Sequence, residues 1–103
     1  MPKNPMMAAK YYQEAAAQNH PTAELRVAEM YETGQGVDQD YAVSMKWYLK
    51  VASNFDIAEY KIGYFYEEGY GVPKDRTQAL SWYHKAAKRG STPAIAAMKK
   101  LED

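Results

Sequence analysis

The stretch GQGV at residues 34–37 returns as GYGV at residues 69–72, a shift of 35 residues. The residues that recur at the same shift are Ala23, Glu24, Tyr31, Asp40, Trp47, Tyr48, Lys50 and Ala52, which fall on Ala58, Glu59, Tyr66, Asp75, Trp82, Tyr83, Lys85 and Ala87. A period in the mid-thirties is typical of repeats of two helices that bury their apolar faces only by stacking on neighbours. The sequence therefore predicts an all-α repeat protein, a class in which binding is a better expectation than catalysis.

Composition narrows the class of partner. The 103 residues are 47% hydrophobic, which is enough for the core of one small domain. The formal net charge is zero with 25% charged residues, so no strong field attracts nucleic acid or an anionic membrane. The absence of cysteine excludes a disulfide framework and a cysteine-based metal site. We therefore expect a protein or peptide partner, with no nucleic acid and no membrane.

Neither a signal peptide nor a membrane span is recognisable in the sequence. The opening residues MPKNP lack an apolar run, and no stretch approaches the roughly 18 to 20 apolar residues of a transmembrane helix. Taken as given, the sequence predicts a cytoplasmic protein. A chain from which a signal peptide had been removed would look the same.

Each repeat is predicted to be a helix, a tight turn and a second helix. Apolar residues recur at helical spacing over residues 22–33, and Gly34 follows where a left-handed residue ends a helix at least cost. Asp40 and Asp75 stand where the second helix of each pair needs an N-cap. Ala28 and Gly63 share one repeat position, which predicts close helix contact there.

The second helices carry apolar stripes that are expected to form the core. These are Val43, Trp47 and Val51 in one copy, and Ala79, Trp82, Tyr83 and Ala86 in the other. Residues 11–16 align with residues 82–87, so the chain opens with a helix of the second type. The last helix matches the first type, and its lysines at 99 and 100 give it the polar outer face of a cap.

The succession Ala-(Glu/Gln)-x-x-(Val/Ile)-(Ala/Gly)-x-x-Tyr-x-x-Gly-x-Gly-Val-x-x-Asp, followed by Trp-Tyr-x-Lys-x-Ala, resembles the Sel1-like repeat, a relative of the tetratricopeptide repeat. It occurs over residues 23–52 and 58–87. The resemblance implies one domain over residues 1–103, with a half-repeat at about 7–21, repeats at about 22–56 and 57–92, and a capping helix at about 93–102. It further implies a right-handed α-solenoid of about five helices that acts as an adaptor, without catalytic residues or cofactors, and whose first helices line a concave face.

On the first helices, side chains that the scaffold is not expected to need include six acids and only two bases. The second helices are richer in lysine and arginine, so the two faces differ in sign. This pattern predicts a basic peptide in an acidic groove. The alternative is that adjacent helices neutralise each other, since exposed ion pairs contribute only about 0 to 1 kcal/mol.

Tyrosines are the second source of candidate contacts. Tyr31, Tyr48, Tyr66 and Tyr83 recur with the repeat and are expected in the core, whereas Tyr64 and Tyr70 are candidate anchors because tyrosine is enriched at interface hot spots. Tyr70 could equally fold back over its own repeat. The predicted partner-binding residues are Glu24, Glu29, Glu32, Glu59, Lys61, Tyr64, Glu67, Glu68 and Tyr70.

Enzymatic and metal-binding sites are not expected. The two histidines, His20 and His84, lie far apart in sequence and lack the spacing of a zinc or iron site. The Gly-x-Gly strings lie between helices and lack the strand and the Gly-Lys-Ser/Thr context of a phosphate loop. No cofactor and no catalytic residue are therefore predicted.

Two other interaction functions stay open. The opening helix lacks a partner for an apolar face with Met6, Met7, Tyr11 and Ala15, so the chain could assemble with copies of itself through its ends, as a structural unit or as part of a longer array. The second alternative function is that of a small inhibitor or immunity-type protein, which would mask a target with its groove. An adaptor that binds a protein segment remains the leading hypothesis.

Overall fold

The computed structural model describes residues 4–102, which form six α-helices and contain no strand. The helices are α1 (Pro5–Ala16), α2 (Pro21–Thr33), α3 (Tyr41–Lys50), α4 (Asp56–Glu68), α5 (Arg76–Lys88) and α6 (Thr92–Glu102). The all-α prediction is confirmed, with one helix more than the expected five, because the half-repeat at each end adds one helix to the two complete pairs. Residues 1–3 and 103, the ends of the predicted domain, lie outside the described residues.

The helices fall into two compact units, Met1–Val51 and Ala52–Asp103. In the first unit α2 packs against α1 and α3, and in the second unit α5 packs against α4 and α6. We call α2, α4 and α6 first-type helices, and α1, α3 and α5 second-type helices. The first unit therefore has a first-type helix between two of the second type, and the second unit has the reverse.

The turns between paired helices have the predicted chemistry. Gly34 and Gly69 end α2 and α4 in the left-handed region, with φ of +78° and +76°. The side chains of Asp40 and Asp75 each accept a hydrogen bond from the backbone amide three residues on, at 3.2 and 3.0 Å. Both pairs of residues are thus confirmed as the points where one helix ends and the next begins.

The buried aromatic residue of α3 and of α5 is a tyrosine. Tyr48 and Tyr83 are fully buried, whereas Trp47 and Trp82 are only partly buried. A lysine three residues on lies over each indole ring, with its Nζ 5.2 Å from the Trp47 centroid and 4.1 Å from the Trp82 centroid. The expectation that the tryptophans belong to the core is therefore too strong. Adjacent residues on a helix point about 100° apart, so only one of each Trp-Tyr pair can face the partner helix squarely.

Close helix contact at Ala28 and Gly63 is confirmed. Both residues are fully enclosed, and a Cβ at Gly63 would lie 2.7 Å from ring carbons of Tyr83. In the first unit the Ser44 hydroxyl donates a 2.7 Å hydrogen bond to the Ala28 carbonyl. A small residue here lets the second-type helix approach the backbone of the first.

Candidate functional site

The second unit contains a groove between two first-type helices. Helices α4 and α6 form its walls, and Tyr83 of α5 forms its floor, around a cavity of about 480 Å³. The residues that line the groove are Tyr60, Tyr64, Glu67, Glu68, Tyr83, Pro93, Ala96, Ala97 and Lys100. Both walls follow helical spacing, because one face of each helix points inwards.

Aromatic rings pack against one another along the α4 wall. The rings of Tyr60 and Tyr64 stack with centroids 6.4 Å apart, and Tyr60 lies 5.7 Å from the buried Tyr83. Tyr70, in the turn after α4, packs edge-on against Tyr64 at 5.7 Å and against Phe65 at 6.0 Å. Of the two alternatives for Tyr70, the structure thus shows the ring folded back over its own repeat, where it supports Tyr64 from behind.

The charged side chains of the groove differ in how accessible they are to a ligand. The Tyr83 hydroxyl donates a 2.6 Å hydrogen bond to Glu67 Oε1, and burial together with this bond raises the pKa of Tyr83 well above its usual value. Glu68 on α4 and Lys100 on α6 are exposed. The groove therefore presents one accessible negative charge and one accessible positive charge on opposite walls.

The predicted partner-binding residues of the second unit are separated by the fold. Those that line the groove are Tyr64, Glu67 and Glu68. Lys61 lies beside the groove, with its Nζ 5.9 Å from the Tyr64 ring centroid. Glu59 is buried and does not line the groove.

Glu24 and Glu59 are part of the scaffold, which corrects the expectation that it does not need them. Both carboxylates are buried at equivalent repeat positions. Glu24 pairs with Lys50 at 3.0 Å, and Glu59 pairs with Arg89 at 3.1 Å, in ion pairs without an aligned hydrogen bond to the buried oxygen. Removal of either cation would leave an uncompensated buried charge.

Glu32 is likewise tied to the scaffold. It accepts a 2.6 Å hydrogen bond from the hydroxyl of Tyr48, as Glu67 does from Tyr83. Burial is the main cause that raises the pKa of Tyr48 well above its usual value, and this hydrogen bond raises it further. The repeated glutamate before each turn glycine therefore serves as the acceptor of a core phenol.

Glu29 is engaged on the surface of α2. Its carboxylate contacts Arg26 at 2.5 Å, and this hydrogen bond raises the pKa of Arg26. With the pairs at Glu24 and Glu59, this contact supports the alternative in which charges of the repeats neutralise one another. The acid excess on the first helices is therefore mostly internal, and Glu68 is the exposed acid of the groove.

Sequence reasoning missed the wall that α6 contributes. It treated α6 as a cap and gave no weight to Pro93, Ala96, Ala97 and Lys100, although their spacing of three, one and three residues marks one helical face. Tyr60 was not among the predicted partner-binding residues. The missing information was which helix faces α4 across the groove.

The described residues offer no metal cluster and no membrane-spanning helix. His20 and His84 are exposed and belong to different units. Over residues 4–102 no group of three or more histidine, aspartate or glutamate residues is arranged to hold a metal ion. No helix in the same range is both long enough and apolar enough to cross a bilayer.

Comparison with a family model gives three matches along the chain. The model is described as the Sel1 repeat, and it matches residues 1–20, 21–54 and 56–91. No curated protein matches the sequence.

Solved structures of repeat proteins resemble the chain. A Sel1 repeat protein from Oxalobacter formigenes is 41% identical with a TM-score of 0.85, over 93% of this chain and 40% of that one. The protein c5321, a protective antigen present in uropathogenic Escherichia coli strains and displaying an SLR fold, is 35% identical with a TM-score of 0.86, over 91% and 20%. Cysteine rich protein B of Helicobacter pylori is 27% identical with a TM-score of 0.76, over 86% and 68%. The chain thus spans less than half the length of the first two of these proteins.

Proposed function

Since the chain belongs to the Sel1 repeat family of α-solenoids, which are in general protein–protein interaction modules, we propose that it binds a segment of a partner protein in the groove between α4 and α6. Sel1 repeat proteins are typically non-enzymatic helical scaffolds. The proposed role is accordingly that of an adaptor without a catalytic step. Both walls of the groove are first-type helices, the helices that the resemblance assigned to the binding face.

The observation that carries the proposal is the packed aromatic wall beside an exposed acid. Tyr64 is partly exposed, and its ring packs against the neighbouring rings of Tyr60 and Tyr70. A ring that is already ordered loses little entropy when a partner covers it, which is why tyrosine serves as an interface anchor. Glu68 lies one helical turn further along the same wall.

These rings belong to the second unit alone. At the equivalent positions, 35 residues earlier, Tyr60, Tyr64 and Tyr70 are replaced by Leu25, Glu29 and Gln35. The two-helix repeat is built in both places, so the scaffold does not require the three tyrosines. Their presence in one copy supports a role in binding.

The charges of the groove suggest the chemistry of the partner segment. A lysine or arginine side chain of the segment would contact Glu68 and could lie over the ring of Tyr64. Lys100 on the opposite wall favours an acidic group or a backbone carbonyl at the other edge of the segment. The proposed ligand therefore presents a basic residue towards α4, within a sequence that is not uniformly basic.

The test is a double variant, Tyr64→Ala with Glu68→Lys, compared with the wild-type chain. We expect an unchanged helical circular dichroism spectrum, because both side chains reach the surface. Affinity capture from a host extract followed by mass spectrometry identifies the retained partner, and titration calorimetry then measures the binding. A hot spot of about 2 kcal/mol predicts a loss of affinity of roughly thirtyfold.

The first unit offers a matched control. Glu29→Ala with Thr33→Lys makes the same type of change at the equivalent positions on α2. Loss of binding in the α4 variant alone would support the groove. Equal affinities for the wild type and the α4 variant would place the interface elsewhere.

A further inference from the structure

We propose that the groove between α4 and α6 recognises an arginine of the partner segment, with the guanidinium flat on the ring of Tyr64 and paired with Glu68. The inference rests on the proposed function and sharpens it, since lysine and arginine carry the same charge. Three features of the second unit favour arginine. They are the rings of the α4 wall, the acid at the end of α4 and the short side chains of α6.

The tyrosines of the α4 wall are held by the core on one side and line the cavity on the other. Tyr60 and Tyr64 pack against the buried cluster that includes Ala79 and Tyr83, and both border the cavity. Their ring planes are nearly parallel, at 16°. The faces of aromatic rings attract cations through their electron density. A cation that enters the cavity therefore comes within reach of the Tyr64 ring.

The chain itself already brings a cation to this position. Lys61 Nζ lies 5.9 Å from the Tyr64 centroid, near the limit of about 6 Å for such a contact, and Lys61 does not line the cavity. At the equivalent positions of α2 the guanidinium of Arg26 contacts Glu29. A ligand cation would approach Tyr64 from the cavity instead.

Glu68 stands where an acid is unfavourable for its own helix. It is the last residue of α4, whose last turn contains no basic residue. The carboxyl end of a helix carries partial negative charge, which disfavours an acid and favours a cation. Glu67 accepts a hydrogen bond from Tyr83, whereas Glu68 makes no hydrogen bond or ion pair with another described residue. A ligand cation would therefore interact favourably with both the carboxylate and the helix end.

The scaffold does not require an acid at this position. The equivalent residue of α2 is Thr33, whose hydroxyl donates a 3.0 Å hydrogen bond to the backbone carbonyl of Glu29. A carboxylate has no proton to donate to such a carbonyl. The second unit thus has an exposed charge in place of an internal contact, in the same copy of the repeat that has the tyrosine wall.

The α6 wall leaves room for a flat side chain and sets its direction. Pro93, Ala96 and Ala97 line this wall with short side chains, beside a cavity of about 480 Å³. Lys100 is the charged residue of the same wall, and it repels a ligand cation towards α4. The segment therefore directs its arginine at α4 and a neutral or acidic group at α6.

Arginine meets these conditions better than lysine. A guanidinium has five N–H donors in its own plane, so its face can stack on a ring while its edge pairs with a carboxylate. It is also more weakly hydrated than an ammonium group, and therefore loses less solvation in a groove lined by rings and alanine. A lysine over the ring would keep the charge and lose the flat contact.

The first step of the test supplies a defined probe. A displayed library of random peptides is depleted of sequences that bind the Tyr64→Ala, Glu68→Lys variant, and is then selected on the wild-type chain of 103 residues. We expect arginine to be enriched over lysine at one position of the selected sequences. The strongest peptide is then synthesised with arginine, lysine or citrulline at that position.

Calorimetry with the three peptides separates charge from shape. Citrulline keeps the flat shape without the charge, and lysine keeps the charge without the flat shape. On the wild-type chain we expect the citrulline peptide to bind about tenfold more weakly than the arginine peptide, and the lysine peptide about threefold more weakly. Glu68→Gln should narrow the first difference, and Tyr64→Leu should narrow the second. A variant that merely disturbed the groove would weaken all three peptides alike.

The first unit again provides the matched control. Glu29→Gln removes a surface acid from α2, and it should leave the affinities of all three peptides unchanged. Circular dichroism verifies that each variant remains folded.

Two results would overturn the inference. The first is an arginine peptide that depends on Tyr64 and Glu68 yet binds no more tightly than its lysine or its citrulline form. That result would leave the proposed function standing and remove the preference for a guanidinium. The second is a library that yields no peptide dependent on these two residues, which would remove the proposed function and this inference together.

Discussion

The two units share their internal contacts and differ in what they show to solvent. In each unit a buried tyrosine of a second-type helix donates a 2.6 Å hydrogen bond to a glutamate of a first-type helix, from Tyr48 to Glu32 and from Tyr83 to Glu67. Other positions of α2, α4 and the turns that follow them differ between the units, and Tyr60, Tyr64 and Tyr70 have no tyrosine counterpart in the first unit. The repeat period therefore explains the scaffold, and the proposed binding site rests on residues that depart from the period.

Helix order is the other difference between the units. In the second unit one first-type helix lies on each side of α5, and these two helices form the two walls of the groove. The first unit has a single first-type helix, and its cavity of about 390 Å³ lies between α1 and the start of α2. The same repeat thus gives different surfaces, depending on which type of helix stands in the middle of the unit.

The largest expected effect tests the shared scaffold. Tyr48→Ala and Tyr83→Ala should each lower the free energy of unfolding by about 3 to 5 kcal/mol, because each removes a fully buried aromatic ring. Such a loss is comparable with the whole stability of many small proteins. Urea denaturation followed by circular dichroism measures both variants. A large loss in one unit and none in the other would contradict the equivalence of the two tyrosines.

The small residues at the helix contact sharpen the comparison. Alanine is favoured over glycine in a helix by about 1 kcal/mol, so Gly63→Ala would stabilise an open position. Here the added Cβ would meet the Tyr83 ring, and overpacking typically costs about 1 to 3 kcal/mol, so we expect net destabilisation. Ala28→Gly should also destabilise, by about 1 kcal/mol.

Ala42→Gly, on the exposed side of α3, provides the control for this pair by measuring helix propensity alone. Thermal unfolding of the three variants gives the comparison. Stabilisation by Gly63→Ala would mean that the close approach in the second unit is looser than the structure shows.

The tryptophans should matter less than the tyrosines beside them. From the sequence alone Trp82→Ala is expected to cost about 3 to 5 kcal/mol as a core truncation. The partial burial of Trp82 and Trp47 lowers our expectation to about 2 kcal/mol for each, since only part of the indole area leaves water on folding. Denaturant midpoints measured beside those of the tyrosine variants test the ranking, and a Trp82→Ala loss equal to that of Tyr83→Ala would reverse it.

Ionisation of the two buried tyrosines has the smallest effect on stability at neutral pH, because these groups lose their protons only at alkaline pH. The pKa of Tyr48 and of Tyr83 is raised in the folded state, so the folded chain holds these protons at a pH where the unfolded chain, with a tyrosine pKa of about 10, releases them. Stability should therefore be independent of these groups below about pH 10 and should fall above it. Tyr83→Phe should flatten part of that fall in a pH series of urea midpoints, and an identical alkaline slope in wild type and variant would exclude the contribution.

Sequence alone predicted most of the fold because its signals are local. Gly34 and Gly69 mark left-handed helix ends, and Asp40 and Asp75 mark N-caps. These signals depend on local backbone conformation and not on contacts with distant residues. The period then repeats these signals in order. Which member of the Trp-Tyr pair is buried is a matter of angle around the helix, and the sequence does not state that angle.

The candidate site was harder to predict because the availability of a charged side chain depends on partners that are distant in the sequence. Glu24 and Glu59 look like surface acids on a first helix, and their cations lie 26 and 30 residues further along the chain. The wall from α6 could not be assigned to the groove without the packing of α6 on α5. Tyr64 and Glu68 were predicted as contacts from the sequence, Tyr64 as a tyrosine that does not recur with the repeat and Glu68 as an acid on a first helix, and the structure places both on the wall of the groove.

Glu67 accepts the hydrogen bond of a buried phenol and also lines the groove, and this dual position constrains how the proposed recognition can evolve. Its carboxylate is held by Tyr83, so a change of residue 67 that adapts the groove to a new ligand also removes an acceptor from a buried phenol. Glu68, the next residue, lines the groove from an exposed position. Across descendants of an ancestral repeat, recognition should therefore change at position 68 with less cost to folding than at position 67.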